Sequence, residues 1–278
     1  MKSKLPDSIR KLDNQQWLDT LINSVSTPVI EGVEFPGFPS QELQTRFVGS
    51  SNETTLREAF TFYEFLKEST QKLGNPLQQE SRFLDFGCGW GRFLRFFWKD
   101  VDEGNLFGCD VNDMIVDTCR DLNIPGQIDH IHPEGILPYP DNYFDAIMAY
   151  SVFTHLPERI HLHWMRELAR VARPGCVFCL TLEPERFIDF VESIPEDTEM
   201  EWYKMLSIHK PRIAEFRRAY DAGQLVFMPT NQGVEDTYGD AVTPPSFIER
   251  EWSPYFKMHT YLDDPQKFWQ AVLIVQRL

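Results

Sequence analysis

Basic charge is scarce in this chain: 27 lysines and arginines face 42 aspartates and glutamates, for a formal net charge of -15. Binding through phosphates needs a basic stripe that releases counterions, so the balance opposes nucleic acid as a partner. Also absent is any uninterrupted apolar run close to the length of a membrane span, and no membrane association is expected. The stretch "MKSKLPDSIRKLDNQQW" has no apolar centre of the kind a secretory signal carries. The cysteines are few and odd in number: Cys88, Cys109, Cys119, Cys176 and Cys179. Scattered through apparent core segments, they are expected to be reduced and buried in a cytoplasmic protein. "CVFC" at Cys176 to Cys179 has half-site spacing. No second pair stands at zinc spacing, so it reads as a packed core strand, and no metal ligands are assigned.

What is present is ample for a large core: 278 residues allow one large domain, with or without a lid. A helix is expected over residues 8–23. The prolines and glycine at Pro28, Pro36, Gly37 and Pro39 then make an extended arm. Leu56, Phe60, Tyr63 and Leu66 repeat at helical spacing before a Gly74-Asn75-Pro76 stop. We therefore take residues 1–75 as an N-terminal helix and arm acting as a lid, and 76–278 as the main domain.

From Ser81 onward short apolar runs alternate with helical patterns: "RFLDF", "NLFGCDV", "FDAIMAYS" and "VFCLTLE" are each strand-like. Such alternation predicts an α/β fold with a mostly parallel, doubly wound sheet. In the helix around "PERIHLHWMRELARVA", Trp164, Met165, Leu168, Val171 and Ala172 share one face. His161, His163, Arg166, Glu167 and Arg170 are left to the solvent side. Residues of about 184–225 break the alternation with a charged helical insertion, taken as a second lid with Trp202, Tyr203 and Phe216 in its own small core. The last two strand-like runs, "PYFKMHTYL" and "FWQAVLIVQRL", are joined by "DDPQK", too short for a parallel return, and must be antiparallel.

The chemistry gathers at "FLDFGCGWGR". A strand that ends in a glycine-rich turn and opens a helix lets the backbone approach a nucleotide closely. The glycines Gly87, Gly89 and Gly91 alternate, which does not fit the G-x-G-x-x-G dinucleotide fingerprint, and no Gly-Lys-Ser/Thr follows for a P-loop. A carboxylate, Asp110, ends the next strand-like run, where it can accept hydrogen bonds from two ribose hydroxyls.

These motifs, with "LPYPDNYFDAIMAYSVFTHL" and "MRELARVARPG", resemble the class I S-adenosylmethionine-dependent methyltransferases over roughly Ser81 to Glu183. "QTRFVGS" resembles an arm found in a bacterial branch acting on small molecules and glycans. The resemblance implies a Rossmann-like seven-stranded sheet with an antiparallel last strand, and S-adenosylmethionine as cofactor, with S-adenosylhomocysteine as product. It further implies that Gly87, Gly89 and Gly91 pass beneath the methionine part, that Asp85 braces the loop or meets the amino group, and that Asp110, followed by Val111, holds the ribose. Backbone groups of Glu134 and Gly135 are candidates for adenine, Pro133 standing where the family often has an acid. Ser151 and Val152 would border the sulfonium. His155 is the candidate general base, and Arg46 and Tyr238 are candidate substrate contacts. Trp90 and Arg92 receive no role.

The activity so implied is methyl transfer to an oxygen or nitrogen of a small-molecule or sugar-like acceptor. A cofactor-binding partner or sensor without turnover would carry the same motif, and a nicotinamide-dependent dehydrogenase is opposed by the position of the third glycine. The sequence does not specify an oligomeric state.

Overall fold

The computed structural model of the protein describes residues 5–230 and 237–278. The chain divides into two compact units, one running up to Met148 with Gly175–Val177, the other comprising Ala149–Pro174 and Phe178 onward.

The first unit begins with α1 (Asp7–Arg10) and α2 (Asn14–Ser24), where the sequence suggested one helix. The break has a local cause: Asp13 caps α2 in a reciprocal capping box with Gln16, restarting the helix there. The arm is less extended than its prolines suggested. It holds a two-residue hairpin, β1 (Val29–Ile30) and β2 (Val33–Glu34), and a helix, α3 (Gln41–Val48), capped by Ser40 and ended by the left-handed Gly49. In α4 (Asn52–Lys72) Leu56, Ala59, Phe62, Tyr63 and Leu66 are buried at helical spacing. They pack on α5 (Arg92–Phe97), all six residues of which are buried, with Phe62 on Phe93 and Tyr63 on Phe97. Each such buried aromatic contributes about 1.5–3 kcal/mol. Between these helices runs β3 (Phe83–Phe86), followed after α5 by β4 (Leu106–Asp110), α6 (Asp113–Asp121), β5 (Gln127–His130) and β6 (Phe144–Ala149). The strand β3 pairs in parallel with both β4 and β6, and β4 with β5.

The second unit contains α7 (Glu158–Val171), β7 (Ala172–Leu182), α8 (Arg186–Ser193), α9 (Glu201–Ser207) and α10 (Ile213–Asp221). A hairpin of β8 (Val226–Pro229) and β9 (Gly239–Val242) follows, then α11 (Pro245–Glu251), β10 (Phe256–Leu262) and β11 (Ala271–Arg277). Seven strands form one sheet in the order β10-β11-β7-β6-β3-β4-β5, and β10 and β11 are antiparallel, as their short link requires. The fold is the Rossmann-like, mostly parallel sheet expected.

Two expectations for the second unit are corrected. His161 is not on the solvent face: it is fully buried, accepts a hydrogen bond from Trp252 Nε1 at 3.1 Å, and burial lowers its pKa to about 3. Its spacing from Trp164, Met165 and Leu168 puts it on their stripe, and Glu167 is buried as well. In the insertion Phe216 joins a core with Phe187, Ile188, Leu206 and Val226, and Tyr203 lies partly against it, but Trp202 is 37% exposed. Among the described residues no helix is long and apolar enough to cross a membrane.

Candidate active site

The site residues expected from the sequence fall into two groups, one in each unit. In the first unit β3 delivers Asp85, almost fully buried, to the edge of the glycine turn. Gly87, Gly89 and Gly91 all adopt positive φ, the conformation that disfavours a side chain. Gly89 faces open space, with only the Phe47 ring near the place of a Cβ, at 3.9 Å. Gly91 answers a different demand. A Cβ there would lie 2.5 Å from Ile124 Cγ2, so its missing side chain serves packing as the start of α5.

Asp110 holds the turn open from the next strand. Its Oδ2 accepts from Gly89 N at 3.0 Å and its Oδ1 from Asn112 N at 2.9 Å. Each carboxylate oxygen has a further lone pair for a ligand hydroxyl. The Cys119 thiol donates to Gly89 O at 3.1 Å, and the amides of Gly87 and Cys88 both donate to Cys109 O. Burial raises the pKa of Asp110, against three backbone donors that lower it. Asp85 is pushed up to about 8, first by burial and then by the neighbouring Asp110, with Arg92 opposing. Asp85 Oδ2 is buried without any hydrogen-bond partner, a vacancy suited to a donor such as an ammonium group. The cradle thus fits a nucleoside with a charged amino-acid tail.

Val111 is 48% exposed, and its carbonyl meets His130 Nε2 at 3.1 Å. Ile131 N donates to Asp110 O, which sets the following turn beside the end of β4. In that turn the amides of Glu134 and Gly135 are both directed at His132, at 3.2 and 2.9 Å. Arg46 is exposed in the last turn of α3.

The two residues without a role acquire one. Trp90 packs on Phe38 of the arm, and Arg92 donates to Thr55 Oγ1 at 3.0 Å, tying the turn to α4. Arg95, missed in the sequence, is fully buried: it donates to Pro36 O and Gly37 O and lies 4.1 Å from the Phe38 ring centroid. Burial lowers its pKa to about 9. The arm is therefore anchored behind the glycine turn by a guanidinium that meets carbonyls and aromatic faces.

In the second unit Ser151 has φ of +58°, rare for a residue with a side chain. Its amide donates to Thr181 Oγ1 at 2.7 Å and its Oγ accepts from Gln270 Nε2 at 2.9 Å. Val152 follows, half-buried. His155 lies in a short 3₁₀ turn, Phe153–His155, and does not cap α7, whose N-cap is Pro157. Its Nδ1 stands 2.8 Å from Gly239 O and 3.7 Å from Asp240 Oδ1, and its ring stacks on Tyr238 at 4.7 Å. A carbonyl at that distance requires Nδ1 to carry the proton, which leaves the Nε2 lone pair available. Burial lowers the His155 pKa, so the ring is neutral near pH 7. Glu183, Asp240, Thr243 and Gln270 surround this region and were not singled out in the sequence. Single polar residues near strand ends leave no periodic signal.

Residues 84–180 match the family described as "Methyltransferase domain". The chain is 30% identical over 126 residues to 27-O-demethylrifamycin SV methyltransferase of Amycolatopsis mediterranei, covering 42% of this chain and 45% of that protein. It is 27% identical over 172 residues to fatty-acid O-methyltransferase of Mycolicibacterium smegmatis, covering 62% and 57%. The matched region thus spans about half the length of these curated relatives. Magnesium protoporphyrin IX methyltransferase of Synechocystis PCC 6803, solved with bound S-adenosylmethionine, shares the fold with a TM-score of 0.50 at 11% identity, covering 96% of this chain and 98% of that one. The alternating glycines, the two strand-end acids and the domain match lead to one assignment: residues 84–180 form a methyltransferase domain of the class I S-adenosylmethionine-dependent type.

Proposed function

We propose that this protein transfers a methyl group from S-adenosylmethionine to an oxygen or nitrogen of a small-molecule acceptor. The observation that carries the reading is the buried, partnerless Asp85 Oδ2 beside a glycine turn held by Asp110. The cofactor supplies a methyl group already activated by its sulfonium. In this reading Asp110 holds the ribose hydroxyls, Asp85 receives the amino group, and Gly89 leaves its face open to the ligand. Exposed Val111 offers an apolar surface to the adenine, with Glu134 and Gly135 on the neighbouring turn.

Placement of the acceptor supplies up to about 7 to 11 kcal/mol of the barrier. A positioned base adds about 10²- to 10⁴-fold, or roughly 3 to 5 kcal/mol. His155 has the tautomer for that second task, its Nε2 taking the proton that the acceptor gives up. Tyr238 orients the ring by stacking, and Asp240 stabilises the imidazolium that forms. The rifamycin and fatty-acid relatives are named for small-molecule acceptors, which supports that class here.

Calorimetry with S-adenosylhomocysteine tests the cradle: a folded protein that does not bind it ends this reading. Transfer of label from methyl-tritiated cofactor into a metabolite library tests turnover. Binding without transfer to any acceptor would point instead to a partner or sensor protein.

A further inference from the structure

Two buried carboxylates in the second unit stand, among the described residues, without a guanidinium or ammonium group at ion-pair distance; of basic groups Asp240 meets only the His155 ring, at 3.7 Å. Glu183, at the end of β7, and Asp240, in β9, are each 5% exposed. The chain bridges them closely: Glu183 pairs with Val242, two residues beyond Asp240, and Thr243 N donates to Glu183 O at 3.1 Å. Gln270 Nε2 donates to Glu183 Oε1 at 3.0 Å. Arg186 lowers the Glu183 pKa through space, but its guanidinium is held by Asp263 at 2.7 Å and by Phe268 O, 5.8 Å from the Trp269 ring centroid.

The same cluster holds acceptors that meet no donor. Gln270 Oε1 and Thr243 Oγ1 are buried without partners, their residues being 7% and 0% exposed. The two acids with the orphaned Gln270 Oε1 form a region rich in acceptors, the complement of an N–H-bearing cation, while the Thr243 hydroxyl can donate or accept. Burial pushes Glu183 up to about 8 and Asp240 up to about 7, which a bound cation would reverse.

Around this region the second unit exposes aromatic rings that its own core leaves partly uncovered. Trp202 is 37% exposed and lies near enough to Asp240 to lower its pKa, and Tyr238 is 44% exposed on the His155 ring. Trp269, which precedes Gln270, is 54% exposed and shares Phe190 as a packing neighbour with Trp202. Aromatic faces beside carboxylates attract organic cations through the ring quadrupole. The negative charge of the whole chain favours the approach of such a ligand.

We infer that Glu183 and Asp240, walled by Trp202 and Trp269, form a subsite for a small organic ammonium group, so that the methyl acceptor is an amine-bearing molecule. This rests on the methyltransferase reading above and narrows it. Gln270 fixes the Glu183 carboxyl while its own carbonyl oxygen accepts from the ligand, and Thr243 Oγ1 offers a further acceptor.

The test uses the full chain with 2-phenylethylamine and its neutral counterpart 2-phenylethanol, titrated calorimetrically in the presence of S-adenosylhomocysteine. The amine is expected to bind at least about tenfold more tightly than the alcohol, the loss typical of one charged hydrogen bond. Glu183→Gln and Asp240→Asn should each erase most of that preference, with thermal melting confirming the fold. Trp269→Ala, at an exposed position, should weaken the amine several-fold without disturbing the fold. Equal binding of amine and alcohol, no amine binding at millimolar concentration, or a preference that survives both acid substitutions overturns the subsite. Failure of S-adenosylhomocysteine to bind the wild-type chain is read separately and overturns only the methyltransferase reading.

Discussion

The cradle of the first unit and the polar cluster of the second are made of different material. In the cradle the geometry belongs to the backbone: three positive-φ glycines, with amides and carbonyls held by Asp110, Cys119 and Cys109. In the second unit it belongs largely to side chains, with Ser151, Gln270 and Glu183 linked in one row and His155 held between the Gly239 carbonyl and the Tyr238 ring. A backbone site can keep its ligand through many sequence changes, whereas a side-chain site changes its ligand with one residue. The first suits a common cofactor and the second a particular acceptor.

The largest effect expected on either side is at His155. His155→Ala should lower kcat by about 10²- to 10⁴-fold while leaving affinity for S-adenosylhomocysteine unchanged, measured by label transfer and calorimetry. Unchanged turnover would show that the second unit works by placement alone. On the cradle side Gly91→Ala should cost roughly 3 kcal/mol of stability in a urea melt, combining a left-handed backbone with overlap on Ile124. An ordinary surface value would mean that the α5 start yields easily.

A smaller effect is expected at Asp110, the acid proposed to hold the ribose. Asp110→Ala should weaken S-adenosylhomocysteine by roughly 1.5 to 3 kcal/mol, the range for hydrogen bonds to a charged group. An unaltered dissociation constant would place the ribose elsewhere.

The pH dependence at Asp85 is subtler and has a definite sign. Its folded pKa, about 8, lies above the ordinary aspartate value of 3.8. The stability linked to its protonated form is therefore full below the lower value and is lost as pH rises through the higher one. Asp85→Asn should stabilise the ligand-free protein near neutral pH. An ammonium group arriving at Oδ2 favours the carboxylate, so binding releases a proton below about pH 8. Affinity for S-adenosylhomocysteine should accordingly gain a rising component between about pH 6 and pH 8, which Asp85→Asn removes. Paired titrations in buffers of different ionisation enthalpy measure the proton directly.

The difference between the two regions also explains what the sequence revealed. A backbone device needs glycine at fixed positions, so Gly87, Gly89 and Gly91 with Asp85 and Asp110 were visible in the bare text. The strand alternation and the antiparallel last pair were visible for similar reasons, since periodicity and link length are local. Long-range partners were not. Nothing in the chain marks Gln270 as the neighbour of Ser151, 119 positions earlier. The short edge strand β5 and the β8–β9 hairpin were likewise missed, four residues each being too few to show a period. His161 is hard to place from sequence because histidine is a polar residue type, although its helical spacing matches the buried face. The arm is hard to place for the opposite reason, its prolines hiding the capped α3.

The sulfur behind the glycine turn has a practical consequence. Cys119 is buried and its thiol is engaged with Gly89 O, while Cys88 lies within the turn itself, also buried. Neither can meet a thiol reagent until the turn lifts away from α6. The rate of labelling at these two native positions is therefore a clock for opening of the turn. A ligand that clamps the turn should slow that clock, giving occupancy without any acceptor being known.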